Sequence, residues 1–473
     1  MQVCGFIMSG MFDFDFLCIG SGPAGHRAAI QAAKLGKRAG VIERRQSPGG
    51  VCVELGTIPS KTFREAVLSY MATNHPFLQQ TGNRSRHRPS ISQLFSRVQL
   101  VRNREVDMVE DQLWRNNIEL ILGEASFQDS HTLVITSDNQ ARLVTAENIL
   151  IAVGTKAAPP PGIAVNGENI VTSDEMVCIT YLPEKLVVVG AGVIGMEYAS
   201  MFAALEIAVT VVDKRERVLD FLDSEIVDEL IHQMRKREVT FRLGEAVDKV
   251  NITEGPPKQA VIQLESGKRI VSDMVLYSAG RIGATDRLNL EGAELTADNR
   301  GRLTVDQEFR TKVPHIFAAG DIIGFPSLAA TSAAQGRRAA CHAFGINAGP
   351  MDTHFPFGVY AIPEISMIGA HEHDLTEKKI PYETGVARYK EIARGQILGD
   401  DSGFLKMLFH RETRKLLGVH AIGTGATELI HIGQAVLELG GGLDYFLNHV
   451  FNYPTLAECY KVAALNAYNK LSQ

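Results

Sequence analysis

The feature that most constrains this 473-residue chain is one arrangement that occurs twice. An apolar strand is followed by Gly-x-Gly-x-x-Gly, a helical stretch and a second apolar strand that ends in an acidic residue. The first copy starts at FDFLCIGSGPAG and ends at Glu43, and the second starts at LVVVGAGVIG and ends at Asp213. The leading glycines, Gly20 and Gly190, lie 170 positions apart, as the two acids do. Two copies with the same internal spacing predict two homologous domains.

Each part of this arrangement has a physical role beside a nucleotide. The first glycine allows a tight turn, the second lets the backbone approach a pyrophosphate, and the third allows close packing of helix on strand. The N-terminus of the helix supplies amide donors and the positive end of its dipole. The acid at the end of the second strand accepts a hydrogen bond from a ribose hydroxyl. The repeat therefore predicts an α/β fold with two Rossmann-like dinucleotide-binding domains.

Three more apolar segments end on a glycine, namely LIAVGT (150–155), LYSAGR (276–281) and IFAAGD (316–321). Open α/β sheets bind ligands at the carboxyl ends of their strands, so these turns are candidate ligand contacts. Asp321 follows the last of them. Its position is compatible with binding a cofactor hydroxyl and equally with capping the next helix.

The order of the proline- and glycine-rich segments and of the apolar strands predicts how the chain is divided into domains. PPPG at 159–162 is a linker typical of a domain boundary, and after LYSAGR the chain is expected to return to the first domain. The last segment has alternating apolar strands followed by helices and no phosphate loop, which favours packing or dimerisation. Residues 1–11 are expected to be a short extension, with Met11 as an alternative start. The predicted segments are 11–158 and 281–349 for the first dinucleotide-binding domain, 159–280 for the second, and 350–473 for a C-terminal α+β dimerisation domain.

Composition excludes several classes of protein. Lys and Arg number 48 against 54 Asp and Glu, and a net charge of −6 argues against a nucleic-acid partner. No apolar run approaches the ~18 residues of a membrane helix, so no membrane contact is expected. The six cysteines form no CxxC pair and the histidines no HExxH pattern, so we expect no metal and a cytoplasmic location.

The segment at 48–61 reads PGGVCVELGTIPSK. Together with the two glycine fingerprints and GDIIGF at 320–325, in this order, it resembles the pyridine nucleotide–disulfide oxidoreductases, a family of flavoproteins. The resemblance extends over residues 11–473. It implies that the first domain binds FAD, that the second binds NAD(H) or NADP(H), and that the C-terminal domain forms a homodimer or a larger homo-oligomer.

The resemblance also implies site residues. For FAD they are Gly20, Gly22, Gly25, Glu43, Arg44, Gly49, Gly50, Cys52, Thr57, Lys61, Gly154 and Asp321. For NAD(P) they are Gly190, Gly192, Gly195, Glu197, Asp213, Lys214, Arg215 and Gly280. Lys61 matches the family lysine beside the flavin N5 atom, and Glu197 matches the acid that pairs with it. These two are the expected catalytic residues, with the task of tuning the flavin.

Two departures from the family pattern bear on the chemistry. Disulfide reductases have a second cysteine where this chain has Thr57, and a hydroxyl cannot make or break a disulfide. The family histidine before Pro-Thr is replaced by Tyr453, although the acid Glu458 remains. Tyrosine, with a pKa near ~10, is a weak general base at neutral pH compared with histidine near ~6.5. Both parts of the dithiol machinery are lost, whereas both nucleotide sites are retained.

A flavin with a nicotinamide on one side and no dithiol on the other is suited to exchanging hydride between NADPH and NAD⁺. Asp213 favours the 2′-hydroxyl of NAD(H), and the basic residues Lys214, Arg215 and Arg217 favour the 2′-phosphate of NADP(H). That basic run is alternatively a solvated charge cluster. Two other functions remain open at this point: an NAD(P)H:quinone or dye reductase, and a nucleotide-binding protein without turnover.

Overall fold

A computed structural model describes residues 11–73, 88–137, 140–351 and 354–472. The predicted extension falls outside them except for Met11. The chain forms two compact units. Unit 1 comprises the described residues within Met1–Phe63, Phe95–Ala158 and Arg281–Met351, and unit 2 those within Arg64–Leu94, Pro159–Gly280 and Asp352–Gln473.

The strands are β1 (Phe14–Ile19), β2 (Ala39–Glu43), β3 (Glu119–Leu122), β4 (Glu124–Phe127), β5 (Thr132–Ser137), β6 (Gln140–Ile151), β7 (Thr155–Ala157), β8 (Ile170–Thr172), β9 (Lys185–Val189), β10 (Ala208–Asp213), β11 (Thr240–Leu243), β12 (Val247–Ile252), β13 (Ala260–Leu264), β14 (Arg269–Ser272), β15 (Met274–Tyr277), β16 (Arg281–Gly283), β17 (Ile316–Ala318), β18 (Phe357–Val359), β19 (Ile365–Gly369), β20 (Tyr382–Arg388), β21 (Phe404–His410) and β22 (Leu416–Ile422). The helices are α1 (Pro23–Lys34), α2 (Gly50–Glu54), α3 (Thr57–Thr73), α4 (Ile91–Arg115), α5 (Val193–Ala204), α6 (Ser224–Lys236), α7 (Ala329–Ala343), α8 (Glu372–Glu377), α9 (Ala393–Leu398), α10 (Ala426–Glu438), α11 (Leu443–Asn448) and α12 (Glu458–Leu471).

Unit 1 is organised around a seven-stranded sheet in the order β3-β2-β1-β6-β5-β4, with β17 also paired to β6. The pairs among β3, β2, β1, β6 and β17 are parallel, and β4 and β5 add an antiparallel edge. The central strands are apolar on both faces, because one face packs against helices α1, α4 and α7 and the other against side chains from β4, β5 and residues 288–322. This arrangement brings the glycine turns after β1, β6 and β17 to one edge of the sheet.

Helix α1 begins within the first fingerprint, at Pro23, where a missing N–H costs little. Its alanine-rich face is buried and packs on α7. At their contact a Cβ on Gly336 would lie 2.0 Å from the carbonyl oxygen of Ala24. This close approach holds the N-terminus of α1 in place at the sheet edge.

Unit 2 contains a five-stranded parallel sheet in the order β11-β10-β9-β15-β8, which carries the second fingerprint between β9 and α5. A three-stranded antiparallel sheet, β12-β13-β14, packs its buried side on the parallel sheet. The same unit contains the five-stranded antiparallel sheet β18-β19-β22-β21-β20, whose core is shared with α10 and α12. The α/β fold with two Rossmann-like sheets and a C-terminal α+β part is thus confirmed. Among the helices in the described part of the chain, none combines the length and apolar character needed to cross a membrane.

Candidate functional site

The first fingerprint forms a turn that we call the first cradle, Gly20–Gly25. Gly20 has a φ of +106°, and a Cβ there would lie 2.5 Å from the carbonyl oxygen of Ala152. A Cβ on Gly25 would lie 1.9 Å from the carbonyl oxygen of Gly20, whereas one on Gly22 would meet no atom within 4 Å. The fold therefore requires glycine at positions 20 and 25. Gly22, the middle glycine, leaves open space beside the N-terminus of α1.

The second cradle, Gly190–Gly195, repeats this geometry. Gly190 has a φ of +105°, and its Cβ would lie 2.7 Å from the carbonyl oxygen of Ser278. A Cβ on Gly195 would lie 1.9 Å from the carbonyl oxygen of Gly190, and one on Gly192 would again meet nothing within 4 Å. The repeat seen in the sequence is thus a repeat of backbone geometry.

The acids at the ends of β2 and β10 are both buried and both reach their cradle. Glu43 accepts hydrogen bonds from the backbone N–H and hydroxyl of Ser21, at 3.2 and 2.5 Å. Asp213 accepts one from the backbone N–H of Ala191 at 2.6 Å. The Arg215 guanidinium beside Asp213 lowers the pKa of that carboxyl against the opposing effect of burial.

The loop before α2 lies against the first cradle. The N–H of Gly49 donates to the hydroxyl of Ser21 at 2.9 Å, and Gly49 has a φ of +112°. A Cβ on Gly50 would lie 2.9 Å from the Cα of Gly22. Arg44 is exposed at the same edge. The sequence did not single out Ser21, although its place inside the fingerprint was an available signal.

Cys52 and Thr57 face each other across the junction of α2 and α3. Burial raises the pKa of the Cys52 thiol, and a hydrogen bond with the Thr57 side chain opposes that rise. Lys61 follows one turn later on α3, and its ammonium group donates to the hydroxyl of Ser60 at 3.3 Å. The side chain of Thr57 thus lies within hydrogen-bonding distance of the Cys52 thiol.

Asp321 lies after β17, at the sheet edge that also carries Gly154. Burial raises the pKa of its carboxyl, while the charge of Arg281 and hydrogen bonds from Thr155 and Ser332, each at 3.5 Å, lower it. The cap position of α7 is occupied by Leu328, so Asp321 does not cap that helix. A half-buried carboxylate held by long hydrogen bonds is suited to accepting a ligand hydroxyl.

In unit 2, Glu197 lies on α5 with only 3% of its surface exposed, and it accepts a hydrogen bond from the backbone N–H of Tyr360 at 2.8 Å. Gly280 has a φ of +124° and open space around its Cβ position. Lys214 is exposed. The pairing of Lys61 with Glu197 stays a prediction.

The segment where the family histidine was expected is solvent-exposed. Tyr453 is 73% exposed, and Glu458 begins α12 with one carboxylate oxygen buried and without a hydrogen-bond partner among the described residues. Within the described ranges, no group of three or more His, Cys, Asp or Glu side chains is arranged to hold a metal ion.

Comparison with known proteins places this geometry in a family. The profile described as pyridine nucleotide-disulphide oxidoreductase matches residues 14–336, and that of the family's dimerisation domain matches residues 355–464. Members of this family depend on FAD and use NAD(P)H.

Relatives and solved structures agree with the profiles. A soluble pyridine nucleotide transhydrogenase of Mycobacterium tuberculosis is 50% identical over 98% of each chain, and one of Photobacterium profundum is 44% identical over 97% of this chain and 98% of its own. The crystal structure of LpdA from Mycobacterium tuberculosis superposes with a TM-score of 0.87 at 26% identity, covering 95% of this chain and 99% of that one. The HOCl-induced flavoprotein disulfide reductase RclA of Escherichia coli gives 0.85 at 25% identity, over 95% and 99%. With both cradles, both profiles and these relatives in agreement, the chain belongs to the pyridine nucleotide–disulphide oxidoreductase family.

Proposed function

We propose that this protein is a transhydrogenase that exchanges hydride between NADPH and NAD⁺ through bound FAD. The observation that carries the proposal is the side chain opposite Cys52. By the family pattern Thr57 stands where disulfide reductases have their second cysteine, and its side chain shares a hydrogen bond with Cys52, while both dinucleotide cradles keep their geometry. The names of the relatives at 50% and 44% identity support the same activity.

The residues of unit 1 fit FAD. The open space at Gly22 admits a pyrophosphate to the N-terminus of α1. Within the described ranges, the Oε1 atom of Glu43 accepts one hydrogen bond, from the backbone N–H of Arg45 at 2.9 Å, and so retains a lone pair for a ribose hydroxyl. Asp321 offers a further acceptor at the same edge.

We assign the predicted residues to two sites. The FAD site comprises Gly20, Gly22, Gly25, Glu43, Arg44, Gly49, Gly50, Cys52, Thr57, Lys61, Gly154 and Asp321. The NAD(P) site comprises Gly190, Gly192, Gly195, Glu197, Asp213, Lys214, Arg215 and Gly280. Residues 11–158 and 281–349 make the FAD-binding domain, 159–280 the NAD(P)-binding domain and 350–473 the interface of a homodimer. The unpaired thiols of the described cysteines fit a cytoplasmic location.

FAD, when bound, supplies the chemistry of accepting a hydride from one nucleotide and giving it to another. The chain's own residues bind the cofactor, orient it and adjust its electrostatic environment. The backbone amides of the first cradle hold the pyrophosphate, and Glu43 and Asp321 hold hydroxyl groups. The ammonium group of Lys61 places a positive charge on α3 next to Cys52 and Thr57, where it favours negative charge on the flavin. No side chain of the chain has to act as a nucleophile.

A single NAD(P) cradle that serves both nucleotides in turn presents the same face of each nicotinamide to the flavin. We assign the Si face to this shared orientation, so that hydride leaves from and returns to the pro-S position of C4. NADPH deuterated at the pro-S position is expected to transfer its deuterium to NAD⁺, and NADPH deuterated at the pro-R position is expected to retain it. Transfer from the pro-R position would refute this assignment.

The deciding experiment is anaerobic. The FAD-loaded protein is reduced with one equivalent of NADPH and then offered NAD⁺, oxidised lipoamide or a quinone while the flavin absorbance is recorded. Rapid recovery with NAD⁺ and none with lipoamide supports transhydrogenation. Recovery with quinone alone would identify a quinone reductase, and recovery with lipoamide would show that a dithiol relay exists after all.

A further inference from the structure

The two cradles differ in the surroundings of the acid that hydrogen-bonds to each of them, Glu43 in the first and Asp213 in the second. In the second cradle the carboxylate of Asp213 is 6% exposed and is covered by Arg215. The Nε and Nη2 atoms of Arg215 donate to the two oxygens of Asp213 at 3.1 and 2.9 Å. The backbone N–H of Arg215 adds a bond at 2.8 Å, and the N–H of Ala191 adds the fourth. A carboxylate accepts about four hydrogen bonds, so Asp213 has none left to accept.

The first cradle supplies an internal comparison. An arginine stands two positions after the acid in both copies, as Arg45 after Glu43 and as Arg215 after Asp213. Among the described residues, Arg45 gives Glu43 only its backbone N–H. Glu43 therefore remains an acceptor for a ribose hydroxyl, whereas Asp213 is already neutralised by a bidentate partner.

The charge of the second cradle follows from this pair. An uncovered aspartate would repel the 2′-phosphate of NADP(H), which carries close to two negative charges. The covered aspartate instead fixes a guanidinium whose side chain is 41% exposed and whose Nη1 lies 3.7 Å from the exposed carboxylate of Asp220. The second cradle thus presents the remaining N–H donors of the Arg215 guanidinium, with no free carboxylate at Asp213.

We propose that Asp213 is a positioning residue for Arg215, and that the guanidinium recognises the 2′ position of both nucleotides, as a phosphate in NADP(H) and as a hydroxyl oxygen in NAD(H). This assignment rests on the proposed function, because it explains how one cradle accepts both nucleotides. An acid at this position is usually expected to disfavour a 2′-phosphate, and the proposal predicts the opposite for Asp213. Removing the carboxylate of Asp213 weakens the binding of a 2′-phosphate, because Arg215 loses its orientation.

The test measures binding of nucleotide fragments, which needs no hydride transfer. FAD-loaded protein is titrated calorimetrically with adenosine 2′,5′-bisphosphate and with 5′-AMP. Asp213→Asn is expected to weaken the bisphosphate about tenfold and 5′-AMP less than about twofold. Glu216→Gln removes the same charge from an exposed neighbouring position and is the matched control, with bisphosphate binding unchanged or tighter.

The arginine supplies the second arm of the experiment. Arg215→Ala is expected to weaken the bisphosphate by roughly tenfold or more, and 5′-AMP by a smaller factor of about two- to threefold, because a hydrogen bond to a neutral hydroxyl is weaker than one to a phosphate. In that background Asp213→Asn should strengthen bisphosphate binding, because the uncovered carboxylate repels phosphate, so the sign of its effect reverses.

Two results would overturn the proposal. Equal or tighter bisphosphate binding by the Asp213→Asn single variant would make Asp213 a simple ribose acceptor. An equal loss of both fragments would show that Asp213 supports the whole cradle rather than Arg215. If the fragments behave as expected but NADPH does not reduce NAD⁺, the proposed function fails and this assignment stands.

Discussion

The second and third glycines of the NAD(P) cradle are chemically identical, yet the structure predicts opposite consequences when each is replaced by alanine. Gly192 has a φ of −79°, which any residue adopts, and its Cβ would meet no atom within 4 Å. Gly192→Ala is therefore expected to raise the free energy of unfolding by about 0.4–1 kcal/mol, through the smaller entropy of the unfolded chain. The added methyl group instead occupies the space through which a pyrophosphate reaches α5.

Gly195→Ala meets a backbone atom that cannot rotate away. Its Cβ would lie 1.9 Å from the carbonyl oxygen of Gly190, and ordinary contact begins at 3.4 Å. The shortfall has to be taken up by moving α5 away from β9, and overpacking of this kind costs about 1–3 kcal/mol or more. At roughly 2–4 °C per kcal/mol, the melting temperature is expected to fall by several degrees.

The assay compares three quantities in the two variants: flavin content, melting temperature and the KM values for NADPH and NAD⁺. Flavin content is the internal control, because the first cradle is untouched. Gly192→Ala is expected to keep the wild-type melting temperature or exceed it and to raise both KM values about tenfold or more, a loss of ~1.4 kcal/mol in binding. A destabilised Gly192→Ala, or a Gly195→Ala variant that melts like the wild type, would refute the reasoning.

Three further outcomes follow from other parts of the chain. The side chain of Lys406 is 1% exposed and lies among three carboxylates, so Lys406→Met should lower the free energy of unfolding in urea by about 3–5 kcal/mol. Glu225→Gln changes a partner that is 62% exposed and should lower it by less than about 1 kcal/mol. Similar losses of stability in the two variants would contradict this prediction. Burial lowers the pKa of His420 to about 4, whereas a histidine in the unfolded chain has a pKa of about 6.5. The unfolded state therefore takes up a proton before the folded state does, and the folded protein loses stability as the pH falls from about 6.5 to 4. His420→Gln should flatten that decline in urea midpoints, and an unchanged pH profile would count against it. Thr57→Cys should let a disulfide form with Cys52, so that anaerobic titration consumes two more electrons per subunit without gaining lipoamide turnover; an unchanged electron count would show that the two side chains do not meet.

Much of the architecture could be predicted because it depends on local rules of the backbone. Gly20 and Gly190 need a positive φ, and Gly25 and Gly195 need the absence of a Cβ, so residue type alone identifies both turns. The apolar strands that precede them are the buried central strands of parallel sheets, which read as continuous hydrophobic runs. The replacement of a cysteine by Thr57 could likewise be interpreted from chemistry alone.

Other features depend on partners that are distant in the sequence or on the choice of a rotamer. Asp321 was compatible with two roles until the packing of α7 placed Leu328 at its cap and Ser332 beside the carboxylate. Lys406 carries no sequence signal, since its carboxylate partners at the start of α6 and on α8 come from separate parts of the chain.

Glu43 and Asp213 show most clearly which features follow from the sequence and which depend on the tertiary structure. Glu43 and Asp213 occupy equivalent positions, and each precedes an arginine by two residues, so residue type and spacing predict the same role for both. In the folded chain only Arg215 turns its guanidinium onto its acid. Glycine turns and apolar strands follow from the amino acids because steric exclusion and burial act on each residue locally. The charge presented to a nucleotide depends on which side chains meet, and the packed tertiary structure determines that.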